Sequence, residues 1–222
     1  MTLIISASGF QSSGKDTFGN FLVENCNFTK LSFSKSLKDS LSTIFNWDRD
    51  LLDGNTPESR VWREQPDIWW ENKLDWNSHQ GRKYSNRFTP RIALQLFGTE
   101  IFRNNFHDNI WVLSLESQIK DIKTPIIITD CRFPNELVMI RNNKGITVRI
   151  KRGNDPEWFD IAKVANENKN ANCKFKNKMK NYNVHYSEWA WIGYNFDYVI
   201  NNDDNLVQFK NKIEKLMKII TI

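Results

Sequence analysis

The segment GFQSSGKDT, from Gly9 to Thr17, limits the folds open to this chain more than any other part of the sequence. An apolar run that predicts a short buried strand, Leu3–Ser6, comes before it, and a run with helical spacing, Lys15–Glu24, follows. Two glycines and a lysine in the pattern Gly-x4-Gly-Lys, placed between a strand and a helix, let backbone N–H groups and the helix N-terminus surround an anion. We therefore predict a phosphate-binding loop on a parallel α/β sheet.

The rest of the chain alternates between apolar strand-like stretches and amphipathic helix-like stretches. The clearest strand is Ile126–Ile128, because a continuous β-branched run is typical of strands that are covered on both faces. Further strands are predicted at Thr29–Phe33, Ile146–Ile150 and Asp197–Asn201. The predicted helices are Lys35–Phe45, a pattern over 90–106, a helix over 108–120 with Asp108 as N-cap, Pro134–Asn142 and Asn205–Ile219. This order predicts a parallel five-stranded sheet flanked by helices, with right-handed crossovers.

Two stretches break this alternation. Residues 46–89 are polar, rich in tryptophan and broken by proline, whereas residues 152–183 are rich in Lys and Asn and poorly patterned. We interpret the chain as one domain, 1–222, with a substrate-binding insert at 46–89 and a lid-like insert at 152–188. A disordered linker is the alternative for residues 152–183.

The composition indicates where the protein acts in the cell more clearly than it indicates which reaction the protein catalyses. With 40 % hydrophobic residues the chain can form a sizeable core, and its net charge of +5 suits a phosphate-bearing partner without separating nucleotides from nucleic acid. Cys26, Cys131 and Cys173 are scattered and fit neither a disulfide framework nor a metal site. The first apolar run, Leu3–Ile5, is too short to span a membrane and lacks the basic start of a signal peptide. We expect a cytoplasmic protein with no membrane partner.

Position 16 separates the loop from its common form, in which a Ser or Thr hydroxyl follows the lysine and coordinates Mg²⁺. Here Asp16 follows Lys15, and Thr17 comes next. A carboxylate can also hold Mg²⁺, directly or through water, because this ion keeps several of its waters. The arrangement is similar to that of adenylate-kinase-type enzymes and favours a small-molecule kinase over a GTPase. We predict that ATP phosphates bind to Gly9, Ser12, Ser13, Gly14, Lys15, Asp16 and Thr17.

A second acidic side chain, Asp130, follows the strand Ile126–Ile128. At the carboxyl end of a parallel strand beside a phosphate loop, this carboxylate can orient the shell of a Mg²⁺ ion, so we predict Asp16 and Asp130 as metal ligands. The alternative for Asp130 is a helix cap in the turn after the strand. Arg132 would place its guanidinium at the same edge of the sheet.

Phosphoryl transfer requires two phosphate groups that are held in line and neutralised in charge. Cations near the carboxyl ends of the strands are therefore candidates. Lys35 opens the helix after the second strand, and the helical pattern over 90–106 contains Arg91, Gln95 and Arg103. Because arginine binds phosphate in a bidentate manner, both arginines are candidate ligands of an acceptor phosphate. Surface arginines on an amphipathic helix are the alternative.

Five motifs occur in series along most of the chain: GFQSSGKDT, FSKSLK, PRIALQLFGTEIFRNNFHDNIWV, ITDCRFPNE and HYSEW. In kind and order they resemble the motifs of phage-type (T-even-like) deoxynucleoside monophosphate kinases, a branch of the P-loop nucleoside monophosphate kinases. The blocks GTE-x2-R and TD-x-R-x2-NE are specific when they occur together with GKDT. Each block by itself is weak.

This resemblance implies a P-loop kinase that uses ATP and Mg²⁺ to phosphorylate a 2′-deoxynucleoside 5′-monophosphate. It implies a catalytic role for Lys15, Arg103 and Arg132. The residues that would bind the substrate are Lys35, Arg91, Gln95, Arg103, Asp130 and Arg132. Asn201–Asp204 would contact the adenine base. Because dimers are common in the family, a homodimer is a candidate assembly, and a viral member would act in the host cytoplasm.

The two inserts differ from the best-known members of that family, so we expect base recognition there. Stacking on Trp62, Trp69, Trp70 or Trp158 is one option, and packing of these rings in a core is the other. The lid-like segment would exclude water and bring cations to the transferring phosphate, with Arg152, Lys174, Lys176 and Lys178 as candidates and a solvated surface as the alternative. His185, Ser187 and Glu188 indicate a hinge or an anchor for the lid. No histidine has the spacing of a metal site.

Two other functions fit parts of the sequence. Another P-loop small-molecule kinase, acting on phosphomevalonate or dephospho-coenzyme A, would share the loop and the arginines. A nucleotide-dependent nucleic-acid-binding protein would use the basic stretch 163–180 and the tryptophans as stacking surfaces. The absence of a long basic face argues against nucleic acid as a partner.

Overall fold

Parallel strands form a single sheet in the computed structural model of the protein, which describes residues 2–168 and 174–220. In this part of the chain the strands are β1 (Ile4–Ser8), β2 (Thr29–Leu31), β3 (Ile126–Ile128), β4 (Ile146–Lys151) and β5 (Tyr198–Asn201). Their order across the sheet is β2-β3-β1-β4-β5, and each neighbouring pair is parallel. The predicted parallel five-stranded sheet is confirmed.

Helices connect the strands and follow the last one. In the described residues they are α1 (Lys15–Cys26), α2 (Lys35–Phe45), α3 (Arg49–Asp53), α4 (Pro57–Glu64), α5 (Ile68–Lys73), α6 (Pro90–Gln95), α7 (Phe102–Asn105), α8 (Ile110–Ile119), α9 (Pro134–Asn142), α10 (Phe159–Glu167), α11 (Lys174–Lys180) and α12 (Leu206–Ile220). Short 3-10 helices lie at Gln80–Lys83 and Tyr186–Glu188, and a π-helical segment lies at Leu96–Ile101. Across these ranges, no helix combines the length and the apolar character that crossing a membrane requires.

The chain divides into two compact units. The first comprises Met1–Ser32 and Gln118–Ile222 and contains all the strands named above. The second comprises Phe33–Ser117 and is helical. The predicted substrate-binding insert falls inside the second unit and the predicted lid-like insert inside the first. Their functions stay predictions, and residues 169–173, which include Cys173, lie outside the described residues.

Apolar side chains cover the central strands of the first unit. All three isoleucines of β3 are fully buried, as their continuous run predicts. Phe18 and Leu22 of α1 pack into this core together with Val148 of β4 and Phe209 of α12. Burial of this apolar surface, at about 25 cal/mol per Å², holds α1 and α12 against the sheet. The loop that precedes α1 therefore lies at the carboxyl ends of the strands.

Aromatic side chains form the core of the second unit. Trp47 and Trp76 are buried in one cluster with Phe45 and Phe88. The rings of Phe45 and Trp47 stack with centroids 4.4 Å apart, and Trp76 lies 5.0 Å from Phe88. The stretch 46–89, which has no clear pattern in the sequence, thus forms helices α3 to α5, and its buried rings Trp47, Trp76 and Phe88 come from the segments around these helices.

The periodicity over 90–106 predicts one regular helix. The structure has an interrupted helix there instead. The π-helical segment Leu96–Ile101 separates α6 from α7. Within it, the indole N–H of Trp111 donates to the carbonyl oxygen of Gly98 over 2.8 Å. A side chain that donates a hydrogen bond to a backbone carbonyl oxygen within a helix competes with the regular helical bond and favours a local widening of the helix. Residues of α6 and residues of α7 therefore do not keep the relative positions that one continuous α-helix would give them.

Helices also occur in the Lys- and Asn-rich stretch 152–183. Helix α10 buries Ala162 and Ala165, and helix α11 buries Met179. For the described part of this stretch, the disordered-linker alternative is wrong. Small and apolar residues spaced along a polar sequence bury one face of each helix, although the composition resembles that of a linker.

Candidate active site

The loop between β1 and α1 needs glycine at both ends of its Gly-x4-Gly pattern. Gly9 has a φ of +150° and Gly14 a φ of +106°, which L side chains rarely adopt. A Cβ atom on Gly9 would lie 2.3 Å from the carbonyl oxygen of Ile150, and one on Gly14 would lie 2.5 Å from Nδ2 of Asn202. Gly14 is also the N-cap of α1. The loop therefore leads directly into a helix N-terminus, where unpaired N–H groups attract anions.

Lys15 folds back over the loop. Its Nζ atom donates to the carbonyl oxygen of Phe10 over 2.7 Å, and the backbone N–H of Ser13 donates to the same oxygen over 3.2 Å. The Ser13 hydroxyl is buried and has no hydrogen-bond partner among the described residues. A buried hydroxyl without a partner is costly, so this group suits a ligand oxygen.

The electrostatics of the loop also favour an anion. Burial, and then the positive charge of Arg132, lower the pKa of Lys15 from 10.5 to about 8, whereas the negative charges of Asp16 and Glu188 act in the opposite direction. Two cations close together in a partly dehydrated site repel each other. The negative charge of a phosphate group at this site would raise the pKa of the lysine and stabilise its charged form.

Asp16 connects the loop to the end of β3. Its Oδ1 atom accepts hydrogen bonds from the Thr129 hydroxyl over 3.1 Å and from Lys30 Nζ over 3.3 Å, and 71 % of its side chain is exposed. The neighbour of Thr129, Asp130, accepts a hydrogen bond from the Ser32 hydroxyl over 2.6 Å. Both predicted metal ligands are therefore oriented by hydroxyl groups at one edge of the sheet.

These oxygens suit Mg²⁺. In kinases this ion is held by one or two carboxylates together with phosphate oxygens and water, rather than by a cage made only of protein. Residues 2–168 and 174–220 contain no group of three or more His, Cys, Asp or Glu side chains that could hold a metal ion. Helix α9 has Phe133 as its N-cap, so Asp130 does not cap that helix.

Carboxylates fix Arg132 at both its backbone and its side chain. Its backbone N–H donates to Glu136 Oε2 over 2.7 Å, and its Nη1 atom forms an ion pair with Glu188 Oε1. The two paired side chains are 43 % and 36 % exposed, respectively. The sequence indicates Arg132 as a site residue but gives no sign of this partner.

Asn202 supports the phosphate loop, which the sequence does not predict. Its Nδ2 atom donates to the carbonyl oxygen of Ser13 over 2.9 Å, and its backbone N–H donates to the carbonyl oxygen of Lys151 over 2.7 Å. The sequence predicts base contacts for Asn201–Asp204, whereas the side chain of Asn202 is directed to the loop. An asparagine after a strand is also typical of an ordinary turn, so no local signal reveals the role.

An aromatic cluster packs on the phosphate loop. The ring of Phe10 meets the edges of Trp158, Phe159 and Trp191, with centroids 5.6, 6.2 and 5.0 Å away, respectively. The Arg149 guanidinium lies 4.8 Å from the Phe159 ring centroid and 5.3 Å from that of Trp191. Trp158, a candidate for base stacking, therefore packs against the loop in this structure.

Four predicted substrate ligands belong to the second unit, and two of them form ion pairs there. Lys35, the first residue of α2, pairs with Asp39 one turn later over 2.6 Å. Arg91 of α6 pairs with Glu64 of α4 over 2.8 Å. Both cations are partly exposed. Such pairs exchange readily with another anion because their stabilisation in water is small.

The other two ligands predicted in that unit lie on either side of the π-helical segment. Gln95 is the last residue of α6 and is half-buried. Arg103 of α7 is 7 % exposed, and its Nη1 atom donates to the carbonyl oxygen of Asp108 over 3.2 Å. Lys15 and Asp16 at the start of α1, and Asp130 and Arg132 after β3, by contrast, belong to the first unit.

An open cavity occurs on the second unit. It has a volume of about 270 Å³ and is lined by Trp62, Gln65, Pro66, Asp67, Ile68 and Pro90. Trp62 meets the ring of Trp47 edge-on at 5.9 Å between centroids. The indole N–H of Trp70 donates to the carbonyl oxygen of Phe45 over 2.9 Å, and Trp69 packs edge-on against it. Trp62, one of the stacking candidates in this unit, therefore lines this cavity.

No protein-family model matches the chain. The chain is 28 % identical to the deoxynucleoside-5′-monophosphate kinase of Escherichia phage T5, in a match that covers 64 % of this chain and 72 % of that protein. In sequence it resembles viral deoxynucleotide kinases. A second relative, from Acanthamoeba polyphaga mimivirus and provisionally described as a deoxynucleotide monophosphate kinase, is 26 % identical over 68 % of this chain and 74 % of its own. Among solved structures, shikimate kinase from Bacteroides thetaiotaomicron aligns over 99 % of both chains, with 12 % identity and a TM-score of 0.46.

Proposed function

We propose that this protein is a phosphotransferase that moves the γ-phosphoryl group of ATP to a 2′-deoxynucleoside 5′-monophosphate. One observation carries the proposal. A phosphate loop with Lys15 folded into it and with Asp16 joined to the end of β3 occurs in a chain whose viral relatives bear the names of such kinases. The product, a deoxynucleoside diphosphate, is a precursor of the triphosphates used in DNA synthesis.

The loop binds the phosphates of ATP in this proposal. Backbone N–H groups between Gly9 and Gly14 and the N-terminus of α1 donate to phosphate oxygens. The buried Ser13 hydroxyl gains the partner that it lacks among the described residues. Lys15 leaves the carbonyl oxygen of Phe10 and binds the β- and γ-phosphates. Ser12 and Thr17 add further donors at the loop and at the first turn of α1.

The carboxylate oxygens of Asp16 and Asp130, near the end of β3, suit Mg²⁺ as a cofactor. Asp16 and Asp130 would hold it, directly or through water, and the hydroxyl groups of Thr129 and Ser32 orient the two carboxylates. When bound, the ion neutralises charge on the phosphates. The contribution of the chain is to fix the direction of these two carboxylates.

The transfer itself needs charge neutralisation more than proton transfer. The nucleophile is an oxygen of a phosphate monoester, whose second pKa is about 6, so it is ionised near neutral pH without a general base. Lys15, Arg103 and Arg132 would stabilise the charge on the group in transit. The residues assigned to the acceptor phosphate are Lys35, Arg91, Gln95 and Arg103, with Asp130 and Arg132.

The two inserts have separate roles in the proposal. The segment 152–188 acts as the lid over ATP and excludes water. The stretch 46–89 reads the acceptor base, and the cavity beside Trp62 is its candidate site, because a flat base can stack on an indole ring. We place the enzyme in the cytoplasm, which is that of the host if its source is viral.

The experiment that tests the proposal is ADP release from ATP and Mg²⁺ with each deoxy- and ribonucleoside monophosphate offered in turn. We expect turnover with a subset of the deoxynucleotides. Lys15→Ala should lower kcat by about a hundredfold or more, with an unchanged circular dichroism spectrum. The matched control is Lys215→Ala, which removes an exposed lysine of α12 and should leave turnover unchanged.

Other outcomes separate the alternatives. Turnover of phosphomevalonate or dephospho-coenzyme A, with none of the nucleotides, would replace the substrate and keep the loop. DNA binding that weakens steeply with salt, without ADP release on any acceptor, would favour the nucleic-acid-binding protein. Near-normal turnover by Lys15→Ala would show that the loop is wrongly assigned.

A further inference from the structure

Arg132, Glu188 and Lys15 form a charge cluster at the phosphate loop. Arg132 follows β3, and Glu188 is the last residue of the 3-10 helix Tyr186–Glu188, 56 positions later in the sequence. Their side chains form an ion pair, and the charges of both act on Lys15. The role assigned to Arg132 at the transferring phosphate does not explain why the carboxylate of Glu188 is paired with it.

The stability of the fold does not account for this pair. Its two side chains are 43 % and 36 % exposed, and an ion pair so open to water contributes only about 0–1 kcal/mol to folding. A carboxylate beside a phosphate site also repels the phosphates themselves. Glu188 is therefore unfavourable for anion binding by itself, and the cation that its carboxylate contacts directly is Arg132.

The backbone that carries Glu188 is fixed from both sides. Its N–H donates to the carbonyl oxygen of His185 over 2.9 Å, and its own carbonyl oxygen accepts from the indole N–H of Trp191 over 3.0 Å. Trp191 is buried. The His185 ring accepts from the backbone N–H of Ser187 and caps the same short helix. The carboxylate thus projects from a turn whose backbone is hydrogen-bonded on both sides.

The turn is also attached to the segment that carries Arg132. The ring of Tyr186 lies 6.0 Å from that of Phe133, the residue after Arg132. On its other side Tyr186 packs edge-on against Trp189, whose carbonyl oxygen accepts from Asn166 Nδ2 over 2.8 Å. These contacts bring the two segments together whether or not the ion pair forms.

We propose that Glu188 is a positioning residue, which holds the guanidinium of Arg132 in the direction of the ATP phosphates. The inference rests on the proposed function for its site. A guanidinium carries five N–H donors in a planar fork, so a carboxylate on one edge leaves the other edge free for phosphate oxygens. Without Glu188, repulsion from Lys15 turns Arg132 away from the loop. Glu188 makes and breaks no bond in the reaction.

A double-mutant cycle tests this role. Glu188→Ala should lower kcat about ten- to hundredfold, the cost of misplacing a catalytic group by about 1 Å, with a smaller change in the KM of the acceptor. In an Arg132→Ala background the same substitution should change kcat less than about twofold, because its target is gone. Glu188→Asp, which keeps the charge, should recover part of the activity. Melting temperatures should stay within a few degrees of the wild type.

The matched control is Glu167→Ala on α10, which removes an exposed carboxylate from the same part of the chain. Equal losses from Glu188→Ala with and without Arg132, or a large fall in melting temperature, would make Glu188 a structural residue and overturn the inference. A rise in kcat would do the same, because it would show that the pair restrains Arg132.

The cycle separates this inference from the proposed function. If the wild type turns over deoxynucleotides but the two positions are additive, the inference fails and the function stands. If no nucleotide is turned over, the function fails, and the cycle is read from the Kd for ATP with Mg²⁺ by titration calorimetry. Coupling of the two positions in that Kd then supports the positioning role, and additivity overturns it.

Discussion

Asn202 Nδ2 donates a hydrogen bond to the carbonyl oxygen of Ser13 over 2.9 Å and so ties the residue after β5 to the phosphate loop. The side chain is 8 % exposed, and it occupies the space that a Cβ atom on Gly14 would need. The loop between β1 and α1 is therefore supported by the residue that follows β5.

Asn202→Ala should weaken ATP binding, because the Ser13 carbonyl loses its partner and the loop gains freedom. A buried hydrogen bond of this kind contributes about 1 kcal/mol, which corresponds to a roughly fivefold rise in the Kd for ATP. Titration calorimetry with ATP and Mg²⁺ measures this change, and Asn211→Ala on α12 is the control. A lower melting temperature with an unchanged Kd would show that Asn202 supports the fold and not the loop.

Gly14→Ala should be far more harmful than Gly153→Ala, although both residues have a positive φ. At Gly14 the added methyl group would meet the Asn202 amide at 2.5 Å, whereas at Gly153 nothing lies within 4 Å. Gly153→Ala carries only the cost of the backbone conformation, about 1 kcal/mol. We expect loss of detectable ATP binding for the first variant and near-normal binding for the second. Equal effects of the two substitutions on ATP binding would mean that backbone strain, and not the crowding at Asn202, causes the loss.

The elements that the sequence predicts well are those with local signals. The β-branched run of β3, the helix from Lys35 to Phe45 and the strand–loop–helix around Gly9 each follow from residues that are neighbours in the chain. Asp16 and Arg132 are recognisable for the same reason, since they lie within short motifs next to predicted strands. Their positions in the structure agree with that placement.

The features that the sequence misses depend on contacts between distant residues. The π-helical segment forms where the Trp111 indole takes the Gly98 carbonyl, and no periodicity encodes that contact. Asn202 forms its hydrogen bond with Ser13, and Glu188 forms its ion pair with Arg132, across distant parts of the sequence in the first unit. Long-range support of a site is fixed by packing, so a single sequence without a fold cannot locate it.

Arg91→Ala should raise the KM of the acceptor nucleotide and leave the KM of ATP almost unchanged. The reason is the role proposed for its guanidinium at the acceptor phosphate, where a charge-assisted hydrogen bond contributes about 1.5–3 kcal/mol, or roughly tenfold or more in KM. Arg87→Ala is a close control, because Arg87 of the same unit also forms a partly exposed ion pair, with Glu71 over 2.9 Å. Equal rises in both Michaelis constants for Arg91→Ala would contradict this assignment.

Lys15 should make the ligand-free protein less stable at neutral pH, because burial and the charge of Arg132 act against its own charge. Burial, and then the charge of Arg132, lowers its pKa in the folded state to about 8, below the value of 10.5 that applies to the unfolded chain. Between these two values the unfolded chain binds more protons than the folded one. The free energy of unfolding therefore rises with pH across this interval, and the destabilising contribution of Lys15 is complete below pH 8.

Lys15→Met removes the charge and keeps an apolar stem of similar length. Below pH 8 it should raise the free energy of unfolding by at most about 3 kcal/mol, even though turnover is lost. The gain should shrink as the pH rises from 8 to 10.5, where the wild-type lysine is neutral in the folded state. Urea unfolding of both proteins at pH 7 and pH 10 measures the difference. A gain that is the same at both pH values would mean that the methionine stabilises by packing, and that the charge on Lys15 carries no cost in the empty site.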